Sequence, residues 1–178
     1  IKKGLKPEDT DKIIEACEDA EVSLQYENGL QQVYLNGENV TSLLRTEEVG
    51  NMASATSANP DVRRKLVELQ QKMAAVQNVV MDGRDIGTVV LTDANLKIYQ
   101  VASSRIRAER RYQENIQKGI ECDLDALEKE IAHRDYLDMN KGYGSLKKAD
   151  DAIEIDSSLL SIDEVVNMIT QLVRERGW

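Results

Sequence analysis

The stretch Asn78-Val79-Val80-Met81-Asp82-Gly83-Arg84-Asp85-Ile86-Gly87-Thr88 runs from a short apolar segment straight into a charged turn punctuated by glycine. Asn78 to Met81 reads as a buried strand, and so does Leu96 to Val101, which ends in Ala102-Ser103-Ser104. Ala152 to Asp156 is a third run of the same kind. Helical compositions lie between and after them, at Ser103 to Lys118 and Asp123 to Asn140. A further helix opens on the capping box Ser161-Ile162-Asp163-Glu164 and continues through Val165, Val166, Ile169 and Val173. Gly119 stands where the first of these helices should end. Strands alternating with helices argue for an α/β fold, a parallel sheet with helices on its faces.

Ligands of open parallel sheets bind beyond the carboxyl ends of the strands, so the turn after Met81 lies where a site belongs. Arg84 could fork onto a phosphate, and Asp85 could accept hydrogen bonds from an exocyclic amine or a ribose. Gly83 and Gly87 would let backbone approach a ligand closely. Asp-Gly is also common in turns, so a strand-end turn with a structural Asp–Arg pair accounts for the same residues equally well.

Toward the N-terminus, Pro7 to Ala20 reads as a short helix with Pro7 and acids in its first turn. Glu21 to Tyr26 and Leu30 to Leu35 flank Asn28-Gly29, a hairpin-turn dipeptide, and a second turn follows at Asn36-Gly37. A polar helix from Thr46 to about Ala58 is broken at Asn59-Pro60, and Asp61 to Val76 reads as another.

The chain has 178 residues, long enough for one domain with a small insert. Its formal charge of -9, from 32 acidic and 23 basic side chains, argues against a general nucleic-acid binder. Positive charge concentrates locally at Arg105, Arg107, Arg110 and Arg111. No stretch approaches a membrane span. Cys17 and Cys122 have no ligand or disulfide spacing, so no metal site of the chain's own is expected, and a reducing cytoplasm is the expected location. Lone His133 reads as structural.

Asp82-Gly83-Arg84-Asp85-Ile86-Gly87-Thr88-Val89-Val90 resembles the core motif of bacterial cytidylate kinases. Leu44-Arg45-Thr46-Glu47-Glu48-Val49, Ala53-Ser54 and Pro60-x-Val62-Arg63 precede it in the same order. Ala102-Ser103-x-x-x-Arg107-Ala108-x-Arg110-Arg111, Arg134-Asp135-x-x-Asp138-x-Asn140 and Asp156-Ser157-x-x-Leu160-Ser161-Ile162 follow it. The resemblance covers the chain from about Leu5 to its end. It implies a P-loop-kinase-type parallel sheet lacking its first strand, with a monophosphate-binding insert and a short helical lid. The parts would be a connector helix region at 1–20, the insert at 21–77 and core strands at 78–102, then the lid region at 103–122 and the rest of the core at 123–178.

The resemblance implies that Ser54, Arg63 and Asp85 read the cytosine edge, that Arg84 binds the acceptor phosphate, and that Arg134 and Asp138 lie by phosphate and sugar. The i, i+4 spacing of that last pair also fits an ordinary surface salt bridge. Taken singly, Ser54 and Arg63 fit solvated helix faces. Arg107, Arg110 and Arg111 fall where similar kinases carry a mobile lid over the donor nucleotide, and their spacing would present three guanidiniums on one face, little neutralised by acids. Phosphoryl transfer depends on positioning and charge neutralisation, so arginines around ATP and CMP or dCMP, with Mg²⁺, are the expected machinery.

Lys141 stands where the family pattern has Arg, which keeps the charge and loses the fork. Thr92 replaces a usual Pro. The loop Gly-x-x-x-x-Gly-Lys-[Ser/Thr], which cradles donor phosphates, is nowhere in these 178 residues. The chain also opens on Ile1, so the expectation is a piece of a longer protein, inactive by itself. The leading reading is a monomeric, ATP-dependent kinase for CMP or dCMP. The alternatives are a catalytically silent nucleotide-binding module and a kinase preferring UMP or AMP.

Overall fold

Two dipeptides that tolerate positive φ shape the N-terminal region. In the computed structural model, which describes residues 1–57 and 59–178, Asn28 and Gly29 adopt φ 53° and 76°, and Asn36 and Gly37 adopt 50° and 80°. Such turns match the twist of paired strands. They join β1 (Val22–Glu27), β2 (Leu30–Leu35) and β3 (Glu38–Asn39) into an antiparallel sheet of that order, with Glu27 opposite Leu30. Before it lies α1 (Thr10–Glu18) and after it α2 (Glu47–Thr56) and α3 (Pro60–Val76). Thr46 caps α2 through Val49 N–H, and Asn59 caps α3 through Asp61 and Val62, with Pro60 in the first turn, where its missing N–H costs nothing. The position expected to end the first of these two helices, Ala58, lies outside the described residues. Lys65 Nζ of α3 donates to the Glu18 carbonyl at the end of α1, and Ile13, Val62 and Val67 are buried. Helix α1 begins at Thr10, later than expected. Pro7 belongs to a preceding turn in which Asp9 N–H donates to the Lys6 carbonyl.

This region, Ile1–Val80, forms one compact unit and Met81–Trp178 another. In the second, β4 (Ile98–Val101) pairs in parallel with β5 (Ile153–Asp156), Ile98 opposite Ile153. The crossover holds α4 (Ser104–Gln117) and α5 (Leu124–Asn140), packed on each other, and α6 (Ile162–Glu175) follows β5. Ser103, Asp123 and Ser161 cap the three helices, the last with its complete capping box. Val90, Ala108 and Ile155 are the buried apolar side chains of this unit.

The strand expected at Asn78 to Met81 does not form. No ladder partner runs beside it among the described residues, and Val80 is fully exposed. A run of β-formers becomes a strand only when a neighbour takes its backbone hydrogen bonds. No helix is long and apolar enough to cross a membrane among the described residues.

Gly119 ends α4 at φ +71°, with its N–H on the Ile116 carbonyl and Ile120 N–H on the Asn115 carbonyl, the paired bonds of a Schellman motif. A Cβ there would meet nothing within 4 Å, so only backbone strain opposes a side chain. Gly50, inside α2, also has open space around it. Gly119→Ala is expected to destabilise the chain by about 1 kcal/mol, whereas Gly50→Ala should stabilise it by about 0.5–1 kcal/mol. Opposite shifts of the urea midpoint check the pair.

Candidate functional site

The charged turn and the last turns of α5 meet at one carboxylate. Arg84 Nε donates to Asp138 Oδ2 at 2.7 Å across 54 positions of sequence, and Lys141 Nζ donates to Oδ1 at 3.2 Å. Burial pushes the Asp138 carboxyl up. Hydrogen bonds and charge from Arg84 and Lys141 more than offset this and hold it below its ordinary value. Arg134, one turn earlier on α5, is exposed and makes no ion pair among the described residues. The Arg134–Asp138 surface pair is therefore not formed, because the oxygens of Asp138 face Arg84 and Lys141.

Asp85 is buried, only 4% exposed, and directly precedes a π-helical turn at Ile86–Val90. The Asp85 carbonyl accepts N–H groups from Thr88, Val89 and Val90 at 3.3, 2.9 and 3.4 Å, and Leu91 N–H reaches the Ile86 carbonyl at 2.7 Å. Single π turns concentrate at functional sites. The sequence carried no signal for it, since a β-branched run such as Thr88-Val89-Val90 has no helical signature. The glycines here leave room for neighbouring side chains of the chain itself. A Cβ on Gly83 would lie 2.9 Å from Ile86 Cγ1, and one on Gly87 would lie 3.3 Å from Lys97 Cδ.

The three arginines of α4 do not present one unneutralised face. Arg107 Nε donates to the Ala102 carbonyl at 3.0 Å, and its two terminal nitrogens grip both oxygens of Asp135 on α5, NH1 to Oδ1 at 2.9 Å. Arg110 NH2 donates to the Ser157 carbonyl at 2.6 Å. Arg111 is exposed, 3.9 Å from Glu114. Arg105, not assigned a role from sequence, is shared by Asp125 and Glu128 at 2.8 and 3.0 Å and by Glu109. The acids that neutralise Arg105 and Arg107 come largely from α5, a partner invisible to spacing within α4.

Arg110 also lines an open groove of about 710 Å³ between α4 and the Ser158–Ser161 segment, together with Ile106, Gln113 and Leu159. In the N-terminal unit, Ser54 is exposed on α2 and Arg63 is half-buried on α3. Among the described residues no group of three His, Cys, Asp or Glu side chains is placed to hold a metal ion.

The Arg107 pair has a pH signature. The hydrogen bonds from Arg107 hold the Asp135 carboxyl below its ordinary value and raise the guanidinium. A carboxyl depressed in the folded state contributes stability above its unfolded pKa of about 3.9 and loses it as pH falls through the folded value. Asp135→Asn should lower stability at pH 7 by about 1 kcal/mol, partial exposure limiting the effect. The gap from wild type should narrow at about pH 3. Urea titrations at the two pH values check this.

The family model for cytidylate kinase matches residues 1–175. A cytidylate kinase of Listeria monocytogenes serotype 4a (strain HCC23) is 51% identical over 150 residues, covering 84% of this chain and 67% of the relative. One from Streptococcus gordonii is 48% identical over 172 residues, covering 96% and 76%, and one from Ligilactobacillus salivarius is 44% identical over 177 residues, covering 99% and 79%. On a family match across almost its whole length and on these identities, the chain belongs to the cytidylate kinase family.

Proposed function

We propose that this protein transfers the γ-phosphoryl group of MgATP to CMP or dCMP, and that the residues described here form chiefly the acceptor side. The observation that supports this most is the Arg84–Asp138 pair. It joins two motifs, far apart in sequence, that the family places at the acceptor phosphate and sugar. A guanidinium bonded to a carboxylate has the geometry it gives a phosphate. On CMP binding Arg84 turns to the acceptor phosphate, Lys141 and Arg134 add positive charge, and the freed Asp138 oxygen accepts from a sugar hydroxyl. Ser54, Arg63 and the buried carboxylate of Asp85 read the cytosine edge, Asp85 accepting from the exocyclic amine.

An acceptor phosphate oxygen forms a bond to the γ-phosphorus as the bond to the β-phosphate oxygen breaks, and ADP leaves. The barrier falls because cations surround charge spread over the transferring group. Arg107, Arg110 and Arg111 supply that charge from the donor side, and the groove beside Arg110 takes the donor nucleotide. Mg²⁺ would come bound to the ATP phosphates and would supply further positive charge at the transferring group, since no cluster of ligating side chains stands ready for it among the described residues. Monomeric, cytoplasmic operation belongs to the same reading.

Release of ADP from the natural protein with CMP, dCMP, UMP and AMP tests the assignment. Turnover should be best with the cytidine nucleotides, and none with CMP sinks it. Asp85→Ala should cut kcat/KM for CMP by roughly 10- to 100-fold, and less for UMP, which lacks the amine. The 178 residues alone contain no phosphate-cradling Gly-x-x-x-x-Gly-Lys-[Ser/Thr] loop and should release no ADP above background.

A further inference from the structure

A lysine with a largely buried side chain, outside the groups assigned so far, lies against the acceptor motif at Gly87. The Lys97 side chain is 8% exposed, and its ammonium donates to the Thr92 carbonyl at 2.6 Å and to Asp151 at 2.9 Å. Its methylene stem lies against Gly87, where a Cβ would come within 3.3 Å of Cδ and 3.6 Å of Cγ. The stem is largely buried, and the two partners of the ammonium fix its reach. The stem thus rests on the second residue of the π-helical turn, while the head holds the carbonyl two residues beyond the turn's end. Both contacts brace one five-residue turn, the one that sets Asp85 and, just before it, Arg84.

We infer that Lys97 is a positioning residue for acceptor binding: it clamps the Ile86–Val90 turn between its stem and its ammonium and so holds Asp85 and Arg84 at the nucleotide. Asp151 anchors the clamp from the turn before β5, and the same contact holds the Asp151 carboxyl below its ordinary value. Neither Lys97 nor Asp151 touches a nucleotide in this arrangement. The inference rests on the proposed cytidylate kinase activity.

The test is steady-state kinetics of the natural protein with CMP and ATP varied separately. Lys97→Met keeps the stem and removes the ammonium. It should raise KM for CMP about tenfold, the scale on which small displacements of a binding group act, while KM for ATP changes less than about twofold. A KM for CMP within about twofold of wild type overturns the inference, and so does an equal rise for both nucleotides, which marks general loosening of the fold. If Lys97→Met fails to fold, Asp151→Ala decides. Asp151 is 63% exposed, so its loss leaves packing intact. A rise of about threefold or more confined to CMP supports the clamp, and an unchanged KM for CMP overturns it. Absence of CMP turnover by the unsubstituted protein would remove the kinase reading and this inference together, whereas a normal wild type with a wild-type-like variant removes only Lys97.

Discussion

The parallel pairing of Ile98–Val101 with Ile153–Asp156 is the constraint on which the C-terminal unit depends. Parallel strands need a long crossover, and here the crossover is the α4–α5 pair. Because the strands run the same way, both exit loops leave at one edge. Ser157 N–H donates to the Val101 carbonyl at 2.8 Å, Ser157 Oγ accepts from Gln100, and Ser103 N–H reaches Ser158 Oγ. Arg107 and Arg110 project from the start of α4 onto the carbonyls of Ala102 and Ser157, at the ends of these strands.

Charge in this unit follows a pattern. Cations here find acceptors in their own chain, whether half-buried like Arg107 or exposed like Arg84 and Lys141. Asp135 takes Arg107, Asp138 takes Arg84 and Lys141, and Asp151 takes Lys97. The excess of acids in the composition is thus used locally, and the chain carries several guanidiniums without a broad basic face. The Arg107–Asp135 pairing also fixes a position, since a bidentate Arg–carboxylate contact restricts both side chains far more than a lysine alone would.

Elements with a local cause were legible from residues alone. Asn28-Gly29 and Asn36-Gly37 set two turns, Thr46, Asn59, Ser103 and Ser161 set helix starts, and Gly119 set a helix end, because each acts on backbone within about four residues. The family was legible for a related reason: an ordered series of short motifs survives in sequence whatever the chain's surroundings. The strand expected at Asn78 to Met81 failed because strand propensity describes fit to a neighbour and carries no neighbour with it.

The sequence by itself determined the helices, hairpin turns and membership of the cytidylate kinase family, through interactions between residues close along the chain and motifs read in order. Only the tertiary structure decided which acid holds which arginine, that Arg134 and Asp138 do not pair, that a π-helical turn follows Asp85, and that Lys97 lies against Gly87. The physical reason is distance. Arg84 and Asp138, like Lys97 and Asp151, are 54 positions apart, and no periodicity or propensity reaches that far; only folding of the strands and crossover helices brings such groups within 3 Å.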